Sequence, residues 1–155
     1  MKKFLLIAAL LFAGIAASAQ PYNWAVGVRG GYGWGTLSAK HYLNENNAFD
    51  FAGSVAIGSA WSWELAALYE WNIPVITDGF DFYFGAGPHG GSYVSNDAAA
   101  IRLGIQGVVG LEYTFDVIPL NIFLDYRPNF ALQLGDNGGF GGYFNNVGLG
   151  IRIAF

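Results

Sequence analysis

The sequence predicts an all-β fold, an eight-stranded antiparallel up-and-down transmembrane β-barrel. Three observations lead to this prediction. The end of the chain alternates strictly between apolar residues and small or polar ones, as a strand with two different faces does. Hydrophobic residues make up 54% of the chain and charged residues only 12%, whereas soluble domains average about 25% charged residues. No stretch after the first residues reaches the roughly 20 apolar residues of a spanning helix, and a closed barrel is the other way to satisfy backbone groups in lipid.

The first residues have the pattern of a secretory signal peptide. Two lysines precede an apolar run from residue 4 to about residue 15, and the small-residue sequence Ala-Ser-Ala ends at Ala19. The run is shorter than a membrane anchor requires. We therefore predict a signal peptide at residues 1–19 and one outer-membrane β-barrel domain at residues 20–155.

Composition argues against nucleic acid as a partner and against cysteine-based sites. Removal of Lys2 and Lys3 with the signal peptide leaves five basic residues against eleven acidic ones, a net charge of −6 that disfavours nucleic acid. The chain has no cysteine, so it has no disulfide framework, no lipid attachment at cysteine and no thiolate metal site. We expect neither a metal nor another cofactor.

Alternation divides the mature chain into eight strands of about ten residues. Seven are found directly, but a single-chain bacterial barrel normally has an even number. The eighth is assigned to TLSAKHYL, which alternates and precedes a turn-rich Asn-Glu-Asn-Asn sequence. The predicted strands are residues 24–34, 36–43, 48–58, 61–72, 80–89, 101–115, 120–131 and 144–155. In the first of them Arg29 is expected to face inward, and the residues expected to face outward are Trp24, Val26, Val28, Tyr32 and Trp34.

The connections between these strands are short on both sides of the predicted barrel. Periplasmic turns are expected at residues 44–47, 74–79 and 116–119. Outer loops are expected at residues 33–35, 59–61, 90–99 and 134–142, although outer loops are usually the long ones. A large receptor-binding surface built from long outer loops is therefore not expected.

The last predicted strand has the strongest alternation. Apolar residues occupy every second position and end in an aromatic residue: Val147, Leu149, Ile151, Ile153 and Phe155. This ending resembles the C-terminal insertion signal of bacterial outer-membrane barrels. The alternative is that Phe155 is an ordinary core residue of a small β-sandwich.

Charged residues fall on a single face of the predicted strands. Five cations and six acids take the inward parity, and the other five acids lie in turns or loops. The predicted lumen charge network comprises Arg29, Lys40, Asp50, Glu64, Glu70, Asp81, Arg102, Glu112, Asp125, Arg127 and Arg152. Because an eight-stranded barrel is only just wide enough for its own side chains, these groups are expected to pair into a polar plug.

The same charges allow other interpretations. A ladder of charges could line a gated ion path, and Glu64 with Glu70 could act as a carboxylate pair. Six residues of strand separate those two side chains by roughly 20 Å, which is too far for a catalytic dyad. A filled plug is the preferred interpretation.

A hydrolase is a further interpretation of the sequence. His89 is followed by Ser92, Ser95 and Asp97 in a Gly-rich segment at the outer rim, and these residue types could act on lipid A acyl chains. They are also ordinary loop formers, so we predict no catalytic residues. His41 is expected to be an interfacial residue.

Several segments together resemble a known family. They are SAKHYLNENNAF, ALYEWNIP, FYFGAGPHGG, GVVGLEYTF, LDYRPNF and GLGIRIAF. In this order and spacing they resemble small outer-membrane β-barrel proteins common in Bacteroidetes, akin to the OmpA-type transmembrane barrel. The resemblance implies an eight-stranded barrel without an assigned activity. A periplasmic peptidoglycan-binding domain is not expected after Phe155, so tethering to the cell wall is not supported.

These observations predict a non-enzymatic barrel of the bacterial outer membrane, with a structural or surface-interaction role. A narrow ion or small-solute channel is the alternative, and a lipid A hydrolase using His89 and Ser92 is a weaker one. Expected partners are outer-membrane lipid, lipopolysaccharide and the barrel-assembly machinery. We expect a monomer.

Overall fold

The computed structural model describes residues 23–57, 61–75, 78–94, 99–115, 117–135 and 138–155. The predicted signal peptide lies outside the described residues. Ten β segments follow one another along the chain. They are β1 (Trp24–Gly31), β2 (Trp34–Asn44), β3 (Asn47–Ile57), β4 (Trp61–Pro74), β5 (Phe80–Val94), β6 (Ala99–Thr114), β7 (Leu120–Tyr126), β8 (Asn129–Gly135), β9 (Gly139–Tyr143) and β10 (Val147–Ala154).

The ten segments form eight wall strands of a closed antiparallel barrel. Segments β7 and β8 follow each other along the same side of β6, and β9 and β10 together form the last wall strand. Consecutive wall strands pair in order, and β1 closes the ring with β10, where Val28 lies opposite Ile151. The predicted eight-stranded up-and-down barrel is confirmed. Among the described residues, no helix has the length and apolarity needed to cross a membrane.

The two faces of the wall differ in chemistry. On β4, Trp61, Trp63 and Leu65 are exposed outside, whereas Ser62 and Glu64 are buried inside. In the described strands, no charged side chain belongs to the exposed class. An apolar outer face and a polar interior are the arrangement that a barrel in lipid requires.

The first hairpin is shorter than predicted. Strand β1 ends at Gly31, and Gly33 turns the chain with a φ of 77°, a backbone conformation that favours glycine. The turn places Trp34 in β2, opposite Gly31 and on the same parity as buried Thr36. The prediction that Trp34 faces outward is therefore wrong; it packs edge-on against Tyr143, with ring centroids 6.5 Å apart.

Other strands continue further than predicted. Strand β5 extends to Val94, so most of the loop expected at residues 90–99 is strand, paired with β4 and β6. Similarly, β8 reaches Gly135, and β9 begins inside the loop expected at residues 134–142 and ends at Tyr143. Glycine has low β propensity, which is why this Gly-rich stretch was predicted as a loop.

Two interruptions divide the last wall strands. Pro128 separates β7 from β8, since proline has no amide hydrogen for the ladder. Its carbonyl still accepts a hydrogen bond from the Gly107 amide at 2.8 Å. Residues 144–146 separate β9 from β10, and there the Asn146 carbonyl accepts a hydrogen bond from the Arg127 amide at 2.8 Å.

Candidate functional site

The interior of the barrel gathers most of the charged residues. Nine of the eleven residues of the predicted network are buried, and Asp81 and Arg102 are half-buried. Eight of them form one continuous series of ion pairs, which we call the charge chain. In order of contact it consists of Glu70, Lys40, Glu112, Arg152, Asp50, Arg127, Asp125 and Arg29.

Lys40 and Glu112 form the first part of the charge chain. The Lys40 ammonium lies 2.9 Å from Glu112 Oε1 and 3.0 Å from Glu70 Oε2. It also donates a hydrogen bond to Asn72 Oδ1 at 3.3 Å. The other oxygen of Glu112 lies 3.4 Å from Nη1 of Arg152, so Glu112 joins two cations from different strands.

Asp50 occupies the middle of the charge chain. Its Oδ2 atom lies 3.0 Å from Arg152 Nη2 and 2.8 Å from Arg127 Nη2. Its Oδ1 atom accepts a hydrogen bond from the Ser38 hydroxyl at 2.8 Å, and that hydroxyl accepts one from Arg152 Nε at 3.0 Å. Asp50 is fully buried, so these three donors replace the water that its carboxylate loses.

Asp125 and Arg29 end the charge chain. Asp125 accepts from Arg127 Nε at 2.9 Å and from Arg29 Nε at 2.5 Å. The Tyr83 hydroxyl donates to the same carboxylate at 3.1 Å. Arg29 also donates to the side chain of Asn146 at 2.9 Å. Four cations therefore alternate with four acids. These eight residues come from seven of the eight wall strands, and Tyr83 adds a contact from the remaining strand, β5.

Three inward-facing glycines make room for these side chains. A Cβ atom on Gly148 would overlap the Arg29 guanidinium, and one on Gly150 would overlap the Phe123 ring. A Cβ atom on Gly110 would lie 2.6 Å from the Tyr83 ring. Sequence reasoning missed this role, although inward parity beside long buried side chains was the available signal.

Apolar side chains fill the rest of the interior. Leu68, Tyr83, Val108 and Phe123 form a buried cluster inside the barrel. The Arg152 guanidinium carbon lies 3.7 Å from the centroid of Phe123, and Lys40 Nζ lies 4.6 Å from the centroid of Tyr83. The cations are thus held by aromatic faces as well as by carboxylates.

Three charged residues lie apart from the charge chain. Glu64 pairs only with Arg102 among the described residues, at 3.8 Å, whereas Glu70 pairs with Lys40. The two glutamates therefore face different cations and form no carboxylate dyad. Asp81 makes no ion pair with any described residue.

The structure separates the residues considered for a hydrolase. His89 is buried inside the barrel, whereas Ser92 has the opposite parity, on the outer face of β5. The two side chains therefore cannot act together, because the segment that carries them is a strand and not a loop. Ser95 and Asp97 lie outside the described residues. His41 stacks on Trp24, with ring centroids 4.3 Å apart. Within the described part of the chain, no group of three His, Cys, Asp or Glu residues could hold a metal ion.

The residues of the predicted insertion signal lie on the outer face of the barrel. Val147, Leu149, Ile151 and Phe155 are exposed and Ile153 is half-buried. The Phe155 amide donates to the Trp24 carbonyl at 2.8 Å, so the C-terminal residue pairs with β1 at the closure of the barrel.

The closed barrel, its apolar outer face and its ionic interior define the class of eight-stranded membrane β-barrels. Solved structures of that class have the same fold. The N-terminal β-barrel domain of OprF from Pseudomonas aeruginosa superposes with a TM-score of 0.60 at 14% identity, covering 88% of this chain and 100% of that one. Neisserial surface protein A superposes with a TM-score of 0.57 at 16% identity, covering 85% of this chain and 93% of that one. No family model matches the sequence, and neither does a curated protein.

Proposed function

We propose that this chain is a non-enzymatic β-barrel of the outer membrane of a Gram-negative bacterium, sealed by its charge chain, with a structural or surface-contact role. The outer-membrane location is supported by the two barrels of similar fold. The single observation that carries the seal is the unbroken alternation of four cations and four acids across the interior. Export through the signal peptide at residues 1–19 belongs to the same proposal.

The energetics of the charge chain favour a closed lumen. Breaking one buried pair by removing a partner costs about 3–5 kcal/mol. A passing ion would have to displace several such contacts, because Asp50, Glu112 and Asp125 each join two cations. The interior of an eight-stranded barrel also has little space beyond its own side chains.

The outer surface supports the proposed partners. Large apolar side chains such as Leu65, Ile105 and Leu149 are at least 60% exposed, which suits contact with lipid and lipopolysaccharide. We propose that the barrel-assembly machinery recognises the C-terminal strand, and that the barrel is a monomer because its wall closes on itself without a second chain.

Conductance in planar bilayers tests the seal. We expect the refolded wild-type protein to be silent and the Arg152→Ala variant to leak, since Asp50 and Glu112 then lose a shared cation. Arg102→Ala is the matched control and should stay silent, because Arg102 lies outside the charge chain. Heat modifiability on gels confirms that each variant is folded. Steady discrete openings of the wild type would overturn the seal and indicate a narrow channel instead.

A further inference from the structure

A cavity of about 260 Å³ lies at the outer end of the barrel, between β6, β8 and β9. We call it the mouth cavity. Arg102, Asn129, Gln133 and Tyr143 provide its polar lining. The charge chain does not extend into it, so these side chains have no role in the proposed seal.

Arg102 is the least engaged cation of the interior. Its one ion pair with a described residue is the 3.8 Å contact between Nη1 and Glu64 Oε1, and its side chain is 27% exposed. The ion pairs of the charge chain are all 3.4 Å or shorter. The guanidinium also lies 5.4 Å from the ring of Tyr93, which holds it at the cavity without using its donors. Its N–H groups are available to an anion.

Gln133 supplies further polar groups beside Arg102. It lies directly opposite Arg102 in the ladder between β6 and β8, and both residues line the cavity. The Gln133 amide can donate hydrogen bonds to an anion that Arg102 holds. Tyr143 of β9 adds a hydroxyl group to the same lining.

Beyond the end of the ladder in which β1 and β10 close the barrel, the wall beside the mouth cavity has a free edge. Strand β9 pairs with β8, and no described residue pairs with its other edge, because β1 and β2 end their ladder at Gly31 and Trp34. All five residues of β9 are exposed. The cavity is therefore accessible from outside the barrel and from its side, at the level of β9.

We propose that the mouth cavity binds a phosphate group, with Arg102 and Gln133 as the donors. The planar guanidinium matches the oxygens of phosphate, and the amide and phenol groups nearby can complete the hydrogen bonds of a tetrahedral anion. The phosphate could come from a lipid headgroup entering beside β9 or from free phosphate entering at the mouth. Binding at this site does not depend on whether the lumen below is sealed.

Titration of the refolded barrel in maltoside micelles tests the proposal. Three probes are used: inorganic phosphate, phosphatidic acid, and diacylglycerol as the control without phosphate. We expect phosphatidic acid to bind and diacylglycerol not to bind. Binding of inorganic phosphate as well would identify the free anion as a sufficient ligand, whereas binding of phosphatidic acid alone would identify the lipid headgroup.

Two variants with opposite expected effects separate binding from a general effect on folding. Arg102→Gln should weaken phosphate binding at least about ten-fold, because it removes the charged donor. Glu64→Gln should strengthen binding by about two- to five-fold, because it removes the carboxylate that competes for Arg102. The proposal is overturned if neither phosphate-bearing probe binds, if diacylglycerol binds equally well, or if the two variants change affinity in the same direction.

Discussion

The guanidinium of Arg152 lies over the ring of Phe123, with 3.7 Å between the guanidinium carbon and the ring centroid. Its nitrogens at the same time reach Ser38, Asp50 and Glu112. A desolvated cation–π contact contributes about 2 kcal/mol or more, so the ring partly replaces the hydration that Arg152 loses. Arg152, in the middle of the charge chain, is therefore held both by the ring of Phe123 and by hydrogen bonds from its nitrogens.

Replacing this arginine should destabilise the barrel. In Arg152→Met, Asp50 and Glu112 each lose a buried cation, so we expect the free energy of unfolding to fall by about 3–5 kcal/mol. Urea unfolding of the protein refolded in lipid vesicles, followed by tryptophan fluorescence, measures the change. Arg102→Met is the control and should cost no more than about 1 kcal/mol, because its pair is partly exposed. Equal losses in the two variants would contradict a central role for Arg152.

The two glutamates beside Lys40 should differ in their contribution to stability. Glu112 joins Lys40 and Arg152, whereas Glu70 contacts Lys40 alone, and that 3.0 Å contact lacks the geometry of a hydrogen bond. We expect Glu112→Gln to cost about 3 kcal/mol and Glu70→Gln to stay within about 1 kcal/mol of wild type. The same unfolding measurement compares the pair. If Glu70→Gln lowered the free energy of unfolding more than Glu112→Gln, the acid at the end of the charge chain would matter more than the acid that joins two cations.

Sequence patterning predicts the face of a residue more readily than its contacts. Once a strand is recognised, the period of two fixes which side chains point inward, as it does for Arg29, Asp50 and Arg152. Their partners depend on the stagger of the wall strands around the barrel, which no local pattern reveals. For this reason Lys40 of β2 meets Glu112 of β6, while Glu64 and Glu70 of one strand belong to different pairs.

The errors in the predicted strand boundaries have local causes. The face predicted for Trp34 is wrong because the turn at Gly33 ends β1 at Gly31, three residues before the predicted end of the strand. The predicted strand 80–89 ends at His89 and leaves Ser92 in a loop because Gly-rich segments favour loops, yet pairing on both sides keeps Ser92 in β5. Tertiary pairing overrides weak local propensity at such positions.

Gly150 should be intolerant of even a small side chain. A Cβ atom there would overlap the Phe123 ring and lie 2.7 Å from the Val28 carbonyl oxygen. We expect Gly150→Ala to lower the free energy of unfolding by about 1–3 kcal/mol, the usual cost of overpacking. Gly30→Ala is the control with no expected penalty, because nothing lies within 4 Å of a Cβ atom at that position.

A second substitution separates the two contacts of Gly150. In the double variant Gly150→Ala, Phe123→Leu, part of the lost stability should be recovered, because the smaller leucine leaves room where the phenylalanine ring would overlap the new methyl group. Full recovery is not expected, because the Val28 carbonyl belongs to the backbone and stays in place. Additive losses in the double variant would contradict the proposed overlap with Phe123.

Phe155 should matter more for assembly in cells than for stability. Its ring is 51% exposed, and its hydrogen bonds to Trp24 use only backbone atoms, which Phe155→Ala preserves. We therefore expect the refolded variant to unfold within about 0.5 kcal/mol of wild type. In cells, the heat-modifiable fraction in the outer membrane should fall several-fold, because the proposed recognition by the assembly machinery uses the terminal aromatic side chain. Phe140→Ala is the control and should assemble normally, because Phe140 is 75% exposed and lies in β9, outside the alternating residues of β10 that form the insertion signal. Normal assembly of Phe155→Ala would remove the insertion signal from the proposal, whereas a matching loss of stability in vitro would assign the effect to folding.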